Sequence, residues 1–79
     1  NAQAYYNRAI AREKNKDLKG ALADYSRSVE LKPDDGRTYY DRGELEIQMG
    51  MKEEACADYK RAGALSYRID KEKLERCSK

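Results

Sequence analysis

The sequence contains no histidine, tryptophan or phenylalanine, and only one proline and two cysteines among its 79 residues. Without histidine, a site lacks the usual general base near neutral pH and the commonest metal ligand. The two cysteines lie too far apart for a Cys-x-x-Cys pair, and no glycine-rich phosphate loop is present. We therefore expect no catalytic residue, no metal site and no cofactor, and a protein that is not an enzyme.

A dominant charge of one sign is also lacking. Lys and Arg number 17 against 15 Asp and Glu, and the two signs are mixed along the chain. Proteins that bind a nucleic-acid backbone usually concentrate positive charge, so no nucleic-acid partner is expected. Neighbouring carboxylates are predicted to be solvated on exposed helix faces or in a turn. They are Glu44 and Glu46, Glu53 and Glu54, and Asp34 and Asp35.

Long apolar runs are absent, so neither a signal peptide nor membrane insertion is expected. The chain begins at Asn1 rather than at Met, so the missing signal does not decide the compartment. A chain of 79 residues supports one domain, which buries only ~60–65% of the surface that its unfolded chain exposes. Because so few glycines and prolines interrupt it, this chain is predicted to be all-α.

What the sequence does contain is an internal repeat. Shifted by 34 positions and without a gap, residues 2–33 match residues 36–67 at nine identical pairs. The pairs are Tyr5 and Tyr39, Tyr6 and Tyr40, Arg8 and Arg42, Ala21 and Ala55, Ala23 and Ala57, Asp24 and Asp58, Tyr25 and Tyr59, Arg27 and Arg61, and Leu31 and Leu65. Such a period predicts stacked units, because one unit cannot bury its own apolar face alone.

Each unit divides into two helical runs. A polar break at residues 15–19 ends the first run, and Gly50 marks the corresponding turn in the second unit. Pro33 ends the first unit, and Asp35 is predicted to cap the helix that follows. Small residues, with Gly43 in the place of Ala9, allow two helix axes to approach closely. The predicted runs after the first helix are 20–32, 38–49 and 52–65.

These residues resemble the tetratricopeptide repeat family, whose pattern places small and aromatic residues at fixed positions of a helical hairpin. The first unit has Tyr5, Ala9, Ala21, Tyr25 and Pro33, and the second has Tyr39, Gly43, Ala55 and Tyr59. Tyr67 replaces the second terminal proline, and Arg12 stands where the family usually has an aromatic. The resemblance implies a right-handed stack of antiparallel hairpins with about five helices.

The resemblance also sets the expected boundaries within a single domain of residues 1–79. Repeat one is predicted at residues 2–35 and repeat two at residues 36–67. Residues 66–79 are predicted to form one further helix, of which 68–79 would be a cap over the open end of the stack. The alternative is the start of a third repeat, which would leave an apolar edge in need of a neighbour.

In this family the first helices of successive repeats line a concave groove that holds a protein or peptide. The groove residues implied here are Gln3, Tyr6, Ile10, Lys14, Arg37, Tyr40, Glu44 and Gln48. Tyr5 and Tyr39 would pack in the core, while Tyr6 and Tyr40 would point about 100° away and grip a peptide. In the alternative, Tyr6 and Tyr40 pack at the seam between repeats.

The two cysteines have two interpretations. If the cap runs antiparallel to the last repeat helix, Cys56 and Cys77 meet at one end of the stack and can form a disulfide. A bond would indicate an oxidising compartment, periplasmic or secreted, whereas two buried thiols would favour the cytoplasm.

The function predicted from the repeat and its resemblance is a non-catalytic scaffold that binds a peptide or protein partner in the groove. The alternative is a self-assembling structural module, or a fragment of a longer repeat array, that associates through its exposed ends.

Overall fold

The computed structural model describes residues 1–77, and all of the regular structure in that range is helical. Five helices follow one another along the chain and pack as two antiparallel hairpins plus one short helix. They are α1 (Ala2–Lys14), α2 (Leu18–Leu31), α3 (Gly36–Gln48), α4 (Lys52–Ala64) and α5 (Lys71–Cys77). The all-α stack of hairpins expected from the repeat is therefore confirmed.

Short polar side chains cap the first three helices at their starts. The Asn1 side chain accepts a hydrogen bond from the backbone N–H of Ala4, and Asp17 accepts one from Gly20. As predicted, Asp35 caps α3 by accepting from the N–H of Arg37. Such caps pair N–H groups that the first helical turn leaves free. Because Asp17 is the cap, α2 begins two residues before the predicted run.

Each hairpin turn uses a residue in the left-handed backbone region. The residue is Lys16 in the first hairpin, with φ 66°, and Gly50 in the second, with φ 76°. These two positions are 34 residues apart, so the turn repeats with the same period as the helices. Glycine adopts this conformation at little cost, which accounts for its presence at the second turn.

Small residues let the two helices of each hairpin approach closely. Ala9, Ala21 and Ala55 have no exposed surface. At Gly43 an added Cβ atom would lie 3.0 Å from the ring of Tyr59, so even alanine would force that ring to move. The close packing predicted from the small positions is therefore present in both hairpins.

The core runs across the seam between the two repeats. Leu45 of α3 is fully buried against the first hairpin, in one cluster with Tyr6, Ala9, Ala21 and Tyr25. The rings of Tyr6 and Tyr25 meet edge to face, with their centroids 6.0 Å apart. An aromatic pair in this geometry adds about 0.5–1.5 kcal/mol to the stability gained from area burial. The first hairpin thus completes its core with a residue of the second.

A forked ion pair recurs inside each hairpin and joins its two helices. Arg8 donates two hydrogen bonds of 2.8 Å to Asp24, and Arg42 donates bonds of 2.8 and 2.7 Å to Asp58. Bidentate pairs of this kind are strong and directional. All four residues belong to the identities of the 34-residue repeat, so part of that repeat encodes an ion pair rather than apolar packing.

The fifth helix is shorter than expected. It begins at Lys71, five residues after the predicted start at residue 66, because residue 66 belongs to a turn and residues 67–70 have no regular secondary structure. Tyr67 in this segment stacks on Tyr40, with 5.3 Å between ring centroids. The last two residues of the predicted helix, Ser78 and Lys79, lie outside the described residues.

A disulfide joins α5 to α4 in the structure. Cys77 at the end of α5 is bonded to Cys56 near the start of α4, and their Cα atoms are 5.5 Å apart. The two helices therefore run antiparallel. Since α5 has no fully buried residue, hydrophobic burial alone holds it only weakly, and the bond is a main attachment of this helix.

We predict that thiol titration of the denatured, unreduced protein will detect no free thiol. Two reactive thiols per chain would contradict the bond. Reduction, or the Cys77→Ser substitution, should lower the free energy of unfolding by about 3 kcal/mol, because the bond closes a loop spanning 21 positions. Urea denaturation of the oxidised and reduced protein measures this difference.

Candidate functional site

The residues predicted for the groove lie on α1 and α3, which sit side by side across the repeat seam. The structure divides this set by exposure. Gln3, Lys14, Arg37 and Gln48 are exposed, Ile10, Tyr40 and Glu44 are half-buried, and Tyr6 is buried.

The expectation that Tyr6 grips a ligand is wrong. Its ring is 7% exposed, and its hydroxyl donates a short hydrogen bond to Asp41 of the second repeat. Burial, followed by this bond, raises the pKa of the Tyr6 hydroxyl above its ordinary value. The guanidinium of Arg37 covers the outer face, 4.3 Å from the ring centroid. Tyr6 therefore packs at the seam, as the alternative interpretation has it.

The neighbouring Tyr5 is the more accessible ring of the two. It is half-buried and lies near the guanidinium groups of Arg8 and Arg27, at 5.5 and 6.0 Å. The expectation that Tyr5 is the more buried of the two rings is thus wrong. The physical reason is that α1 contacts both α2 and α3, so more than one face of this helix is buried. Tyr6 lies on the side toward α3.

One part of the predicted groove forms an open depression. Ile10 and Lys14 of α1 and Gln48 of α3 border it together with Glu13, and its volume is about 300 Å³. The Gln48 amide donates a 2.9 Å hydrogen bond to Glu13, which also accepts one from the buried Tyr25 hydroxyl at 3.0 Å. The structure therefore brings together predicted groove residues from both repeats.

Two carboxylates of this face were not identified from the sequence. Glu13 and Asp41 each bind across the seam, to Gln48 and to Tyr6 respectively. Burial raises the pKa of Asp41, against the opposing effect of the Tyr6 hydroxyl. Neither carboxylate has an identical residue 34 positions away, so comparison of the repeats gave no signal for them.

At the other end of α3, Tyr40 and Glu44 face α5 rather than open solvent. Glu44 accepts hydrogen bonds from Tyr40 at 2.8 Å and from Tyr59 at 2.7 Å, and it forms an ion pair with Lys73. Lys73 also donates a 2.6 Å bond to the Tyr40 hydroxyl. Burial raises the pKa of Glu44, but these bonds outweigh it and hold the pKa below its usual value. Tyr40 is therefore a packing residue here.

Glu46 contradicts the expectation that the paired carboxylates are solvated. It is 5% exposed, and its Oε1 atom has no hydrogen-bond partner among residues 1–77. Burial, then the hydrogen bond and charge of Asp58, raise the pKa of Glu46 to about 8. In the first repeat the equivalent residue is Arg12, which pairs with Asp24 at 3.1 Å. The same position thus holds a guanidinium group in the first repeat and a buried carboxyl group in the second.

Across residues 1–77, no three side chains of the types that bind metal ions lie together. Within the same range, no helix has the length and apolar character needed to cross a membrane.

Comparison with known proteins agrees with the architecture. Two profiles described as tetratricopeptide repeat match residues 2–35 and residues 36–66. Over 68 residues the chain is 41% identical to human tetratricopeptide repeat protein 36, an alignment that covers 81% of this chain and 36% of that relative. The chain therefore spans about a third of the length of this curated relative. Tetratricopeptide repeats are typically non-catalytic and generally mediate protein–protein interaction.

We predict that Glu46→Gln will stabilise the protein more at pH 8 than at pH 5. The pKa of Glu46 is about 8 in the folded protein, above its ordinary value of 4.5. The stability that this shift contributes is therefore fully present below pH 4.5, and it is lost as the pH rises through 8. Arg42 opposes this loss, whereas Asp58 and Glu54 add to it. Glutamine is neutral throughout.

Urea denaturation at the two pH values measures the effect. The stability difference between the variant and the parent should grow by at least about 1 kcal/mol from pH 5 to pH 8. The exposed Glu53→Gln is the matched control and should show no such growth. An equal difference for Glu46→Gln at both pH values would contradict the raised pKa.

Proposed function

Because this chain belongs to the tetratricopeptide repeat family, we propose that it is a non-catalytic module that binds a peptide segment of another protein. The binding surface is the face that α1 and α3 share, and we call it the α1–α3 groove. It consists of the depression around Ile10, Lys14 and Gln48, together with the exposed pair of Gln3 and Arg37.

The observation that supports this proposal most is the open depression between the two repeats. Hydrogen bonds link α1 and α3 at two places, from Gln48 to Glu13 at 2.9 Å within the lining of the depression and from Arg37 to Gln3 at 3.4 Å near the other end of the two helices. The two helices thus form a rigid support while the depression between them stays open. Peptide-binding surfaces need such pre-organisation, because ordering flexible groups on binding reduces affinity.

The chemistry of the groove suits an extended peptide. Ile10 offers apolar surface, Lys14 offers an exposed positive charge, and Gln48 has an amide that can bond to a peptide backbone. Tyr6 contributes indirectly, since its buried ring and its bond to Asp41 support the floor. A partner with an acidic side chain near an apolar one would complement these groups.

Lys14→Glu is the variant that tests this surface without disturbing the core. Lys14 is exposed and its side chain makes no hydrogen bond or ion pair in residues 1–77. Peptides selected on the parent protein from a random display library should bind Lys14→Glu at least about fivefold more weakly, because the charge at the rim is reversed.

The matched control is Lys19→Glu, which makes the same charge change at an exposed position of α2 outside the groove. It should retain the parent affinity for the selected peptides in a fluorescence polarisation titration. Failure to enrich any peptide, or equal affinities of the two variants, would reject the α1–α3 groove as the binding surface.

A further inference from the structure

A second cavity lies away from the α1–α3 groove, where α3, α4 and α5 meet. Its volume is about 420 Å³, which is in the lower part of the range of about 300–1,000 Å³ common for small-molecule sites. Tyr59, Ile47 and the bonded sulfur atoms of Cys56 and Cys77 form its apolar lining. We call it the disulfide cavity.

Ile47 is unusual in that it remains 48% exposed although it is a large apolar side chain. It stands one residue before Gln48, where α3 passes from the α1–α3 groove to the disulfide cavity. An apolar ligand in the cavity would cover this side chain and the ring of Tyr59. Covering apolar surface is favourable by roughly 25 cal/mol per Å².

Positively charged side chains outnumber carboxylates in the described lining of the disulfide cavity. Among residues 1–77, Lys52, Lys73 and Arg76 line this cavity, and Glu44 is the one carboxylate of the lining. Glu44 is already neutralised by its ion pair with Lys73 and by the two tyrosine hydroxyls. The described lining therefore carries positive charge that Glu44 does not neutralise.

Two of these cations are available to a ligand. Arg76 pairs with Glu72 at 2.8 Å, but both side chains are more than 70% exposed, and such surface pairs contribute little. Lys52 has no ion pair within residues 1–77. An anionic group at the mouth would gain charge-assisted hydrogen bonds from both side chains.

We propose that the disulfide cavity binds a small amphiphilic anion, with an apolar chain or ring that fills the cavity and a carboxylate at its mouth. The apolar part would lie against Ile47, Tyr59 and the disulfide, and the carboxylate would lie between Lys52 and Arg76. This site is separate from the α1–α3 groove, and its ligand is a small molecule rather than a peptide.

The site requires the disulfide. Lys73, Arg76 and Cys77 all belong to α5, which has no fully buried residue and is attached to α4 by the bond between Cys56 and Cys77. Release of α5 would remove one wall of the cavity and two of its three cations. Ligand binding is therefore a property of the oxidised protein.

Octanoate is the probe for this proposal, and octanol is the matched neutral compound with the same chain. In titrations of the oxidised protein followed by NMR, octanoate should shift the signals of Ile47 and Tyr59, and it should bind at least about fivefold more tightly than octanol. Equal affinity for the two compounds, or no binding of either, would overturn the proposal.

Two further comparisons locate the ligand. Lys52→Glu should weaken octanoate binding about fivefold or more, whereas Lys60→Glu, at an exposed position of the same helix outside the cavity, should not. Protein reduced with dithiothreitol should lose octanoate binding while circular dichroism shows that α1 to α4 remain helical. Undiminished binding by Lys52→Glu or by the reduced protein would overturn the assignment. Neither result bears on the peptide selection, so the two sites are tested separately.

Discussion

Burial of Leu45 at the seam between the repeats is the interaction on which the rest of the structure depends. This side chain of the second repeat is fully buried in one cluster with Tyr6, Ala9, Ala21 and Tyr25 of the first. A hairpin of about thirty residues has too little apolar surface to offset the entropy of folding by itself. Each hairpin is therefore stable only because packing against the other excludes water from its apolar inner face.

The same seam positions the candidate binding surface. Because Tyr6 is drawn into the core beside Leu45, its hydroxyl reaches Asp41 and ties α1 to α3. Glu13 and Gln48 make a second link at the other end of these helices. The depression between them is thus a consequence of core packing.

Much of this fold could be predicted from the sequence. The 34-residue period indicates a unit that must stack, and small residues such as Gly43 indicate close contact between helices. The choice between Tyr5 and Tyr6 could not be predicted, since both lie near the buried arc and only the angle at which α3 packs decides between them. Glu46 was missed because charge normally indicates exposure, whereas this side chain is buried, and its pKa is raised by that burial and by Asp58 across the hairpin. Of the residues predicted to line the groove, the polar residues Gln3, Lys14, Arg37 and Gln48 are exposed, whereas Tyr6 and Tyr40 pack against neighbouring helices.

Hydrogen exchange of the Leu45→Ala variant tests most directly whether the two hairpins depend on each other. If they do, the free energy of opening should fall by a similar amount, about 2–5 kcal/mol, for the slowest amides of both the first and the second hairpin. Unchanged protection of the amides in α1 and α2, with a loss confined to α3 and α4, would contradict the account.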